Sequence, residues 1–238
     1  MQDVIKNLTG VLDLLSVGVG PQNSGTKRPL VIFFDAVGTA FGVRDGVGVQ
    51  YAKRADRVGV TVSAAVLESV FYDAFKAAGS SVFPLASADV IPKLEFEWWR
   101  SVVFDTFDRV GVVNQFESFD EFFEDLFQYF ATAEPWVIYP ETIFVLESLK
   151  ALGISIGMIS NFDSRLHSVL RSLSLDHYFQ SVTISTEVGC AKPNGKIFTI
   201  ALSKHNCEAH QAWHVGDSFK DDYTSATAMG LRGIWVDR

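Results

Sequence analysis

Hydrophobic residues in the second half of the chain follow two repeating patterns, one typical of helices and one typical of buried strands. Helical spacing predicts helices at residues 141–152, 164–173, 196–205 and 223–229, and short apolar runs predict strands at 155–160, 181–185, 212–215 and 233–236. An earlier apolar run at residues 30–34 predicts another strand. Repeated strand-helix units form parallel sheets that are covered on both faces and carry their reactive groups where the strands end. The sequence therefore predicts an α/β fold with a site at the carboxyl edge of a parallel sheet.

The stretch from about Gly42 to Pro135 has no convincing strand pattern. Helical spacing recurs at residues 66–78, 96–110 and 119–131, which predicts a helical unit inserted after the first strand. The segment is rich in aromatic residues, and we expect nearly all of them to form the core of a small bundle. They are Phe71, Phe75, Phe96, Trp98, Trp99, Phe104, Phe107, Phe122, Phe123, Phe127 and Phe130.

The N-terminal residues predict a short amphipathic helix followed by a linker. The apolar positions at helical spacing are Val4, Ile5, Leu8, Val11, Leu12 and Leu15, and the segment at residues 21–26 is rich in helix breakers. We interpret the helix as packed on its own domain; the alternative is that it contacts a protein partner. The predicted organisation is an N-terminal helix and linker at 1–28, an α/β core at 29–42 and 136–238, and a helical unit at 43–135.

Composition and charge narrow the functional classes. With 238 residues and 48% hydrophobic content, the chain is long enough to bury a full core. A net charge of −8 argues against nucleic acid and anionic membranes as partners, because both require clustered Lys and Arg. An acidic protein can still bind a small phosphorylated molecule if the binding site itself is locally positive. Cys190 and Cys207 form no redox or zinc motif. Without a membrane-spanning run or a secretory signal pattern, we expect a cytoplasmic protein.

Polar side chains are predicted to gather at one edge of the sheet, where strands end. They are Asp35, Ser160, Lys192, Asp217 and Asp222. Each has an ordinary explanation when taken alone, such as a helix cap, a turn former or a solvated lysine. Their conjunction at one edge of one sheet instead indicates a site for phosphoryl transfer to a carboxylate.

In such a site each group has a distinct role. Asp35 would act as the nucleophile and form an aspartyl-phosphate. Asp217, with Asp222, would hold Mg²⁺, because this ion prefers carboxylate and carbonyl oxygens. Lys192 and the Ser160 hydroxyl would neutralise and orient the phosphoryl oxygens, which is most of what this reaction requires of a protein.

These residues give the chain a resemblance to the haloacid dehalogenase (HAD) superfamily, in the form that carries a helical cap after the first motif. The family's four motifs match, in order and over about residues 29–238, Asp35-Ala36-Val37-Gly38-Thr39, Ser160-Asn161, Lys192-Pro193, and Gly216-Asp217-Ser218 with Asp222. The resemblance implies a Rossmann-like, HAD-like core with an inserted helical cap. It also implies a Mg²⁺ site formed by Asp35, the Val37 carbonyl, Asp217 and Asp222. Thr39 and Asn161 become candidate substrate contacts, and Arg44, at the expected cap hinge, a candidate contact for the substrate anion.

The chain departs from the family pattern at Val37. Phosphatases of the family usually carry a second aspartate at this position, which protonates the leaving group and then deprotonates the attacking water. The metal ligand from this position is a backbone carbonyl, which valine also supplies. The resemblance therefore implies that metal binding survives while proton transfer is impaired.

Three functions remain open at this point. The first is a Mg²⁺-dependent phosphatase of a small phosphorylated metabolite. The second is a catalytically degenerate protein that binds a phosphorylated ligand or a partner. The third is a haloacid dehalogenase, since those relatives also lack an aspartate at the position of Val37. They need no metal, however, so Asp217 and Asp222 count against that function.

Overall fold

The predicted parallel sheet forms the centre of the fold. The computed structural model describes residues 3–17 and 28–238, so the predicted linker at 21–26 lies outside the described residues. The strands are β1 (Val4–Ile5), β2 (Val31–Phe34), β3 (Phe41–Val43), β4 (Trp136–Ile138), β5 (Ser155–Ser160), β6 (Ser181–Ile184), β7 (Ala212–Gly216) and β8 (Arg232–Val236). Within the described residues the main sheet has six strands in the order β1-β8-β7-β2-β5-β6, and all its neighbours are parallel. The predicted α/β fold is confirmed.

Helices cover both faces of this sheet. The α-helices are α1 (Thr9–Val17), α2 (Val47–Asp56), α3 (Ala64–Ala77), α4 (Ile91–Val110), α5 (Phe119–Tyr129), α6 (Thr142–Ala151), α7 (Leu166–Ser172), α8 (Ser185–Val188), α9 (Gly195–Ser203) and α10 (Ser225–Ala228). Alternate residues of a strand point to opposite faces, and β2 is buried throughout. Its Ile32 and Phe34 belong to one core cluster with α1, α6 and α7, whereas Val31 and Phe33 belong to another with α9.

The strand order reverses at β2. This strand pairs with β5 on one side and with β7 on the other, and the chain visits β5 and β6 before it crosses to β7 and β8. Such a switch point leaves a crevice at the carboxyl ends of the strands, where α/β proteins bind their ligands. Asp35 directly follows β2 and therefore lies at this point.

Helices α2 to α5 form a unit with its own hydrophobic core. Fully buried members of this core include Leu67, Phe107 and Phe123. The chain enters and leaves the unit through β3 and β4, which pair as an antiparallel ribbon with Val43 opposite Trp136. The sequence pattern predicted neither Gly42 and Val43 as strand nor α2 as helix. In α2 the buried Tyr51 and Ala55 are mixed with charged residues, which obscures the helical spacing.

The N-terminal residues differ from the predicted helix in one respect. Val4 and Ile5 form an edge strand beside Trp235 and Val236 of β8, and the helix begins only at Thr9. A two-residue strand is too short to produce a recognisable pattern, and the partner strand is supplied by the far end of the chain. The helix α1 packs on its own core, as interpreted from the sequence, through the buried Val11 and Leu15, together with Leu8 just before it.

None of the helices within residues 3–17 and 28–238 combines the length and the apolar character needed to cross a membrane.

Candidate active site

Lys192 joins two buried carboxylates at the edge of the sheet. Its ammonium Nζ donates to Oδ1 of Asp35 and to Oδ1 of Asp222, each at 2.6 Å, and to the Ile159 carbonyl at 3.0 Å. The relative exposure of these three residues is 8% for Asp35, 5% for Lys192 and 1% for Asp222. Because buried charges are tolerated only when paired, the three side chains form one electrostatic unit.

The loop that carries Lys192 is fixed by Asn161. The Asn161 side-chain amide donates to the Lys192 carbonyl at 2.9 Å, and the Lys192 backbone N–H donates to Asn161 Oδ1 at 2.8 Å. The next helix, α9, is capped by Asn194, whose side chain accepts from the Lys196 N–H. Asn161 was predicted as a substrate contact, and in the structure its amide is engaged in positioning the lysine.

Asp217 and Asp222 come from the loop and helical turn after β7. Asp222 lies in a six-residue π-helical segment, Phe219–Thr224, and its Oδ2 accepts from the Ser218 N–H at 2.9 Å. The exposed Asp217 accepts from the hydroxyl of Thr39 at 3.0 Å, so Thr39, a predicted substrate contact, is hydrogen-bonded to this acid. Asp217 packs directly against the backbone of Gly38, where a side chain would leave no room for it. A Cβ on Gly38, whose φ is +91°, would stand 2.4 Å from an Asp217 oxygen.

His214 is a member of this network that sequence reasoning missed. It is fully buried, and its Nε2 lies 2.8 Å from Asp222 Oδ1. Its ring packs edge-on against Phe198 of α9. The signal that was available is its place inside an apolar strand, directly before the motif that carries Asp217.

The electrostatics of the cluster follow from burial and from Lys192. Burial raises the pKa of Asp35 to about 7, although the Lys192 ammonium opposes the shift. For Asp222 burial acts in the same direction, but Lys192 and His214 outweigh it and lower the pKa below its ordinary value. Burial and the nearby Asp222 raise the pKa of Asp217. Burial alone would lower the pKa of Lys192, but Asp35 and Asp222 outweigh it and raise the pKa. Burial lowers the pKa of His214.

The three carboxylates are close enough to share a cation. One oxygen from each of Asp35, Asp217 and Asp222 lies within 4.8 Å of the others. Hard oxygen donors of this kind fit Mg²⁺, which is usually bound by a few carboxylates and several waters. Gly216 leaves room for the set, because a Cβ there would stand 2.1 Å from the Asp222 carboxyl carbon. The donor chemistry therefore matches the predicted ion.

Two further predicted residues differ in their surroundings. Ser160 ends β5, next to the strand that leads to Asp35, and is buried. Arg44 is engaged elsewhere: its guanidinium donates to the Glu134 carbonyl at 3.2 Å and to the Trp136 carbonyl at 2.8 Å. Arg44 thus ties the two passages of chain that connect the helical unit to the sheet. Contact of Arg44 with the substrate anion stays a prediction, and the structure shows its guanidinium bonded to two carbonyls of the neighbouring chain segment.

Helix α4 is fastened to the loop after β5 by buried polar contacts. Glu95, which is 2% exposed, accepts from the Ser164 N–H at 2.9 Å and from the Ser164 and Thr186 hydroxyls, each at 2.5 Å. Trp99 donates from its indole N–H to Asp163 at 2.7 Å. Arg165 pairs with the same carboxylate and donates to the Phe127 carbonyl. These contacts hold the helical unit against the edge of the sheet.

A cavity of about 300 Å³ lies between the helical unit and this edge. Val37 and Asn161 line it from the site loops. The aromatic wall comes from the helical unit and includes Phe71, Phe75, Trp98, Trp99, Phe127 and Phe130. Several of the aromatic residues that were expected to fill a bundle core therefore border an open space.

The chain resembles proteins of one family across most of its length. A family model for haloacid dehalogenase-like hydrolases matches residues 30–230. The chain is 35% identical over 209 residues to haloacid dehalogenase-like hydrolase domain-containing protein 3 of Xenopus laevis, over 87% of this chain and 83% of that protein. It is 36% identical over 100 residues to the glyceraldehyde 3-phosphate phosphatase of Methanothermobacter thermautotrophicus, over 42% of this chain and 44% of that protein. An L-2-haloacid dehalogenase of known structure has a similar fold, with a TM-score of 0.67 and 20% identity over 90% of this chain and 88% of that one.

Proposed function

The chain belongs to the haloacid dehalogenase-like hydrolases, and we propose that it is a Mg²⁺-dependent phosphatase that acts on a small phosphorylated molecule through an aspartyl-phosphate on Asp35. The observation that carries the proposal is the position of Asp35. Its carboxylate lies 2.6 Å from the Lys192 ammonium and within 4.8 Å of oxygens from Asp217 and Asp222. An anionic nucleophile approaches an anionic phosphate only where positive charge offsets the repulsion, and this cluster supplies a lysine and a set of cation ligands.

In the proposed reaction an Asp35 oxygen attacks phosphorus, and the bond from phosphorus to the leaving oxygen breaks. That oxygen keeps the electron pair, and the phosphoryl group is held by Asp35. Water then attacks the same phosphorus, which releases inorganic phosphate and regenerates the carboxylate. Lys192 and the Ser160 hydroxyl bind the phosphoryl oxygens during both steps. Mg²⁺ bound by Asp35, Asp217, Asp222 and the Val37 carbonyl would neutralise charge on the phosphate.

Val37 restricts which phosphate esters the protein can hydrolyse quickly. Its side chain has no proton to donate and lines the apolar cavity, so the leaving oxygen must take its proton from solvent or leave without one. A leaving group that is stable as an anion has no such requirement. We therefore propose that turnover is slow for alkyl phosphates and faster for aryl or acyl phosphates.

A haloacid dehalogenase is less well supported. A haloacid carries a carboxylate that needs a free cation in the pocket. Asp163 and Arg165 are the charged residues that line the cavity, within the described residues, and they pair with each other through two bonds of 2.8 and 2.7 Å. The acids Asp217 and Asp222 would also have no role in that reaction.

The second candidate function is a degenerate protein that binds a phosphorylated ligand or a partner without turnover. Val37 is the observation that favours it. In either case we propose that residues 43–135 act as a cap over the site and admit small molecules rather than folded phosphoproteins. We also propose that a protein partner binds α1 through its exposed face, because the buried face of this helix packs on its own core.

The decisive experiment measures phosphate release from a panel of small phosphorylated metabolites, with and without Mg²⁺. The proposal predicts hydrolysis that requires Mg²⁺ and disappears in the Asp35→Asn variant. Saturable binding of the same compounds without phosphate release would identify the degenerate protein. Halide release from a haloacid without added metal would identify the dehalogenase.

A further inference from the structure

The cavity beside the site is too large to be a packing defect. Protein interiors contain few voids larger than a water molecule, and a cavity of about 150 Å³ already accommodates benzene. The cavity here measures about 300 Å³ and is therefore large enough for a two-ring aromatic group. It borders the site loops at Val37, two residues after the nucleophile, and at Asn161, directly after Ser160.

The chemistry of its wall is apolar and aromatic. Trp98, Trp99, Phe75 and Phe127 are among the lining residues, and the two charged members, Asp163 and Arg165, are paired with each other. A polyhydroxylated leaving group, such as that of a sugar phosphate, would bring several hydroxyls into a wall that offers few free partners. Burying hydroxyls without partners is unfavourable, whereas an aromatic ring loses nothing there.

One polar atom in this wall lacks a partner. The indole Nε1 of Trp98 is buried without a hydrogen bond in the part of the chain that the structure describes. Buried donors are nearly always satisfied in folded proteins. This donor is covered by protein, so it offers no hydrogen bond to a molecule in the cavity, and Trp98 adds to the apolar character of the wall.

We propose that the cavity holds the leaving group of the substrate, and that this group is an aromatic ring system rather than a sugar or another polyhydroxylated body. The inference rests on the proposed phosphatase function and adds the substrate class to it. Val37 agrees with this inference in two ways. Its side chain cannot donate the proton that an alkyl leaving group needs, and it forms part of the apolar wall. Aromatic alcohols and aromatic acids leave as stabilised anions.

The test compares two acyl phosphates whose leaving carboxylates are similar in acidity. Acetyl phosphate and benzoyl phosphate differ by the aromatic ring, and neither needs a proton donor. Burial of the ring should raise kcat/KM for benzoyl phosphate by about 10- to 100-fold over acetyl phosphate. Ser81 lines the cavity whereas Ser80 is exposed. Ser81→Phe should therefore remove the preference, and Ser80→Phe should keep it.

Binding provides the second measurement. Calorimetry with methylphosphonate and naphthylphosphonate, which are not hydrolysed, should show tighter binding of the aromatic compound by a similar factor. Turnover of both acyl phosphates at equal kcat/KM, lost in Asp35→Asn, would overturn the inference and leave the proposed function standing. No turnover of either, with tighter naphthylphosphonate binding that Ser81→Phe weakens, would overturn the phosphatase and support the cavity as an aromatic site. Equal binding of the two phosphonates would overturn the cavity assignment.

Discussion

The ammonium of Lys192 lies 2.6 Å from the carboxylate of Asp35 although the two residues are 157 positions apart in the chain. Both side chains are buried, and the same ammonium lies 2.6 Å from Asp222. The lysine is thus the cation that opposes the negative charge of two acids inside the protein. Its removal should affect folding and chemistry together.

Lys192→Met should lower the free energy of unfolding by about 3 to 5 kcal/mol, because it leaves buried carboxylates without a partner. Chemical denaturation of the metal-free protein measures this change. Adding Asp35→Asn to Lys192→Met should recover part of the loss, since one unpaired charge is then removed. Strict additivity of the two single variants would contradict the close electrostatic coupling of the pair.

Val37→Asp should raise the turnover of alkyl phosphates by about 10²- to 10⁴-fold, because it supplies the missing proton donor. Aryl phosphates should gain far less, since their leaving oxygen needs no proton. Val37→Asn, similar in size but unable to transfer a proton, is the matched control and should gain nothing. If the parent already hydrolyses alkyl and aryl phosphates equally fast, another residue donates the proton.

Mg²⁺ should raise the midpoint of thermal unfolding, since a ligand that binds only the folded state stabilises it. Asp217→Asn should abolish this effect because it removes one of the three clustered carboxylates. Asp221→Asn removes the same charge from the same segment, outside the cluster, and should behave like the parent. An equal Mg²⁺ response in all three proteins would exclude the proposed site.

The stability of the metal-free protein should depend on pH through Asp35. The pKa of Asp35 is 3.8 in the unfolded chain and about 7 in the folded protein. Between pH 3.8 and about 7, the folded state therefore binds a proton that the unfolded state has lost. The Asp35 contribution to the free energy of unfolding therefore falls as pH rises from about 4 to 7, by up to about 1.4 kcal/mol per pH unit. The lowered pKa of His214 acts in the opposite direction below 6.5. The difference between the parent and Asp35→Asn across this range isolates the aspartate, and a flat difference would contradict the raised pKa.

Glu95→Gln should loosen the helical unit from the sheet. The carboxylate accepts three hydrogen bonds from Ser164 and Thr186, and a neutral amide replaces one acceptor oxygen with a donor. We expect a loss of about 1 to 3 kcal/mol in unfolding free energy, and faster hydrogen exchange at the Ser164 amide. Glu97→Gln, exposed on the same helix, is the control and should change neither quantity.

The sequence predicted the carboxyl edge of the sheet well because strand ends in a parallel sheet meet regardless of their distance along the chain. Asp35, Lys192 and Asp222 could be brought together on that ground, and the family suggested by the four motifs is confirmed. The hydrogen-bond partners of individual side chains at that edge could not be predicted from the sequence. Asn161 and Thr39 carry amide and hydroxyl groups that suit a ligand as well as a neighbouring loop, and only the three-dimensional arrangement assigns them to Lys192 and Asp217.

Contacts between the helical unit and the sheet also could not be predicted from the sequence, because the residues that meet are far apart in the chain. Arg44 was expected to meet an anion, yet it binds two carbonyls on a segment about 90 residues away. The aromatic residues of the helical unit have the spacing of a bundle core, and spacing alone does not reveal that one side of the bundle faces a cavity. Hydrophobic periodicity reports which face of a helix is covered, and it does not report what covers it.

The pairing of Val43 with Trp136 brings the two ends of the helical unit together, so the unit can be replaced as a whole. Paired residues of an antiparallel ribbon lie about 5 Å apart, so a two-residue turn is long enough to join them directly. The sheet, with Asp35, Lys192, Asp217 and Asp222, lies wholly outside that junction. A chimera that exchanges the unit at these two positions would keep the reacting groups and replace the part of the cavity wall that the helical unit supplies. Substrate preference can thus diverge in this scaffold by grafting, without any change in the residues that handle the phosphate.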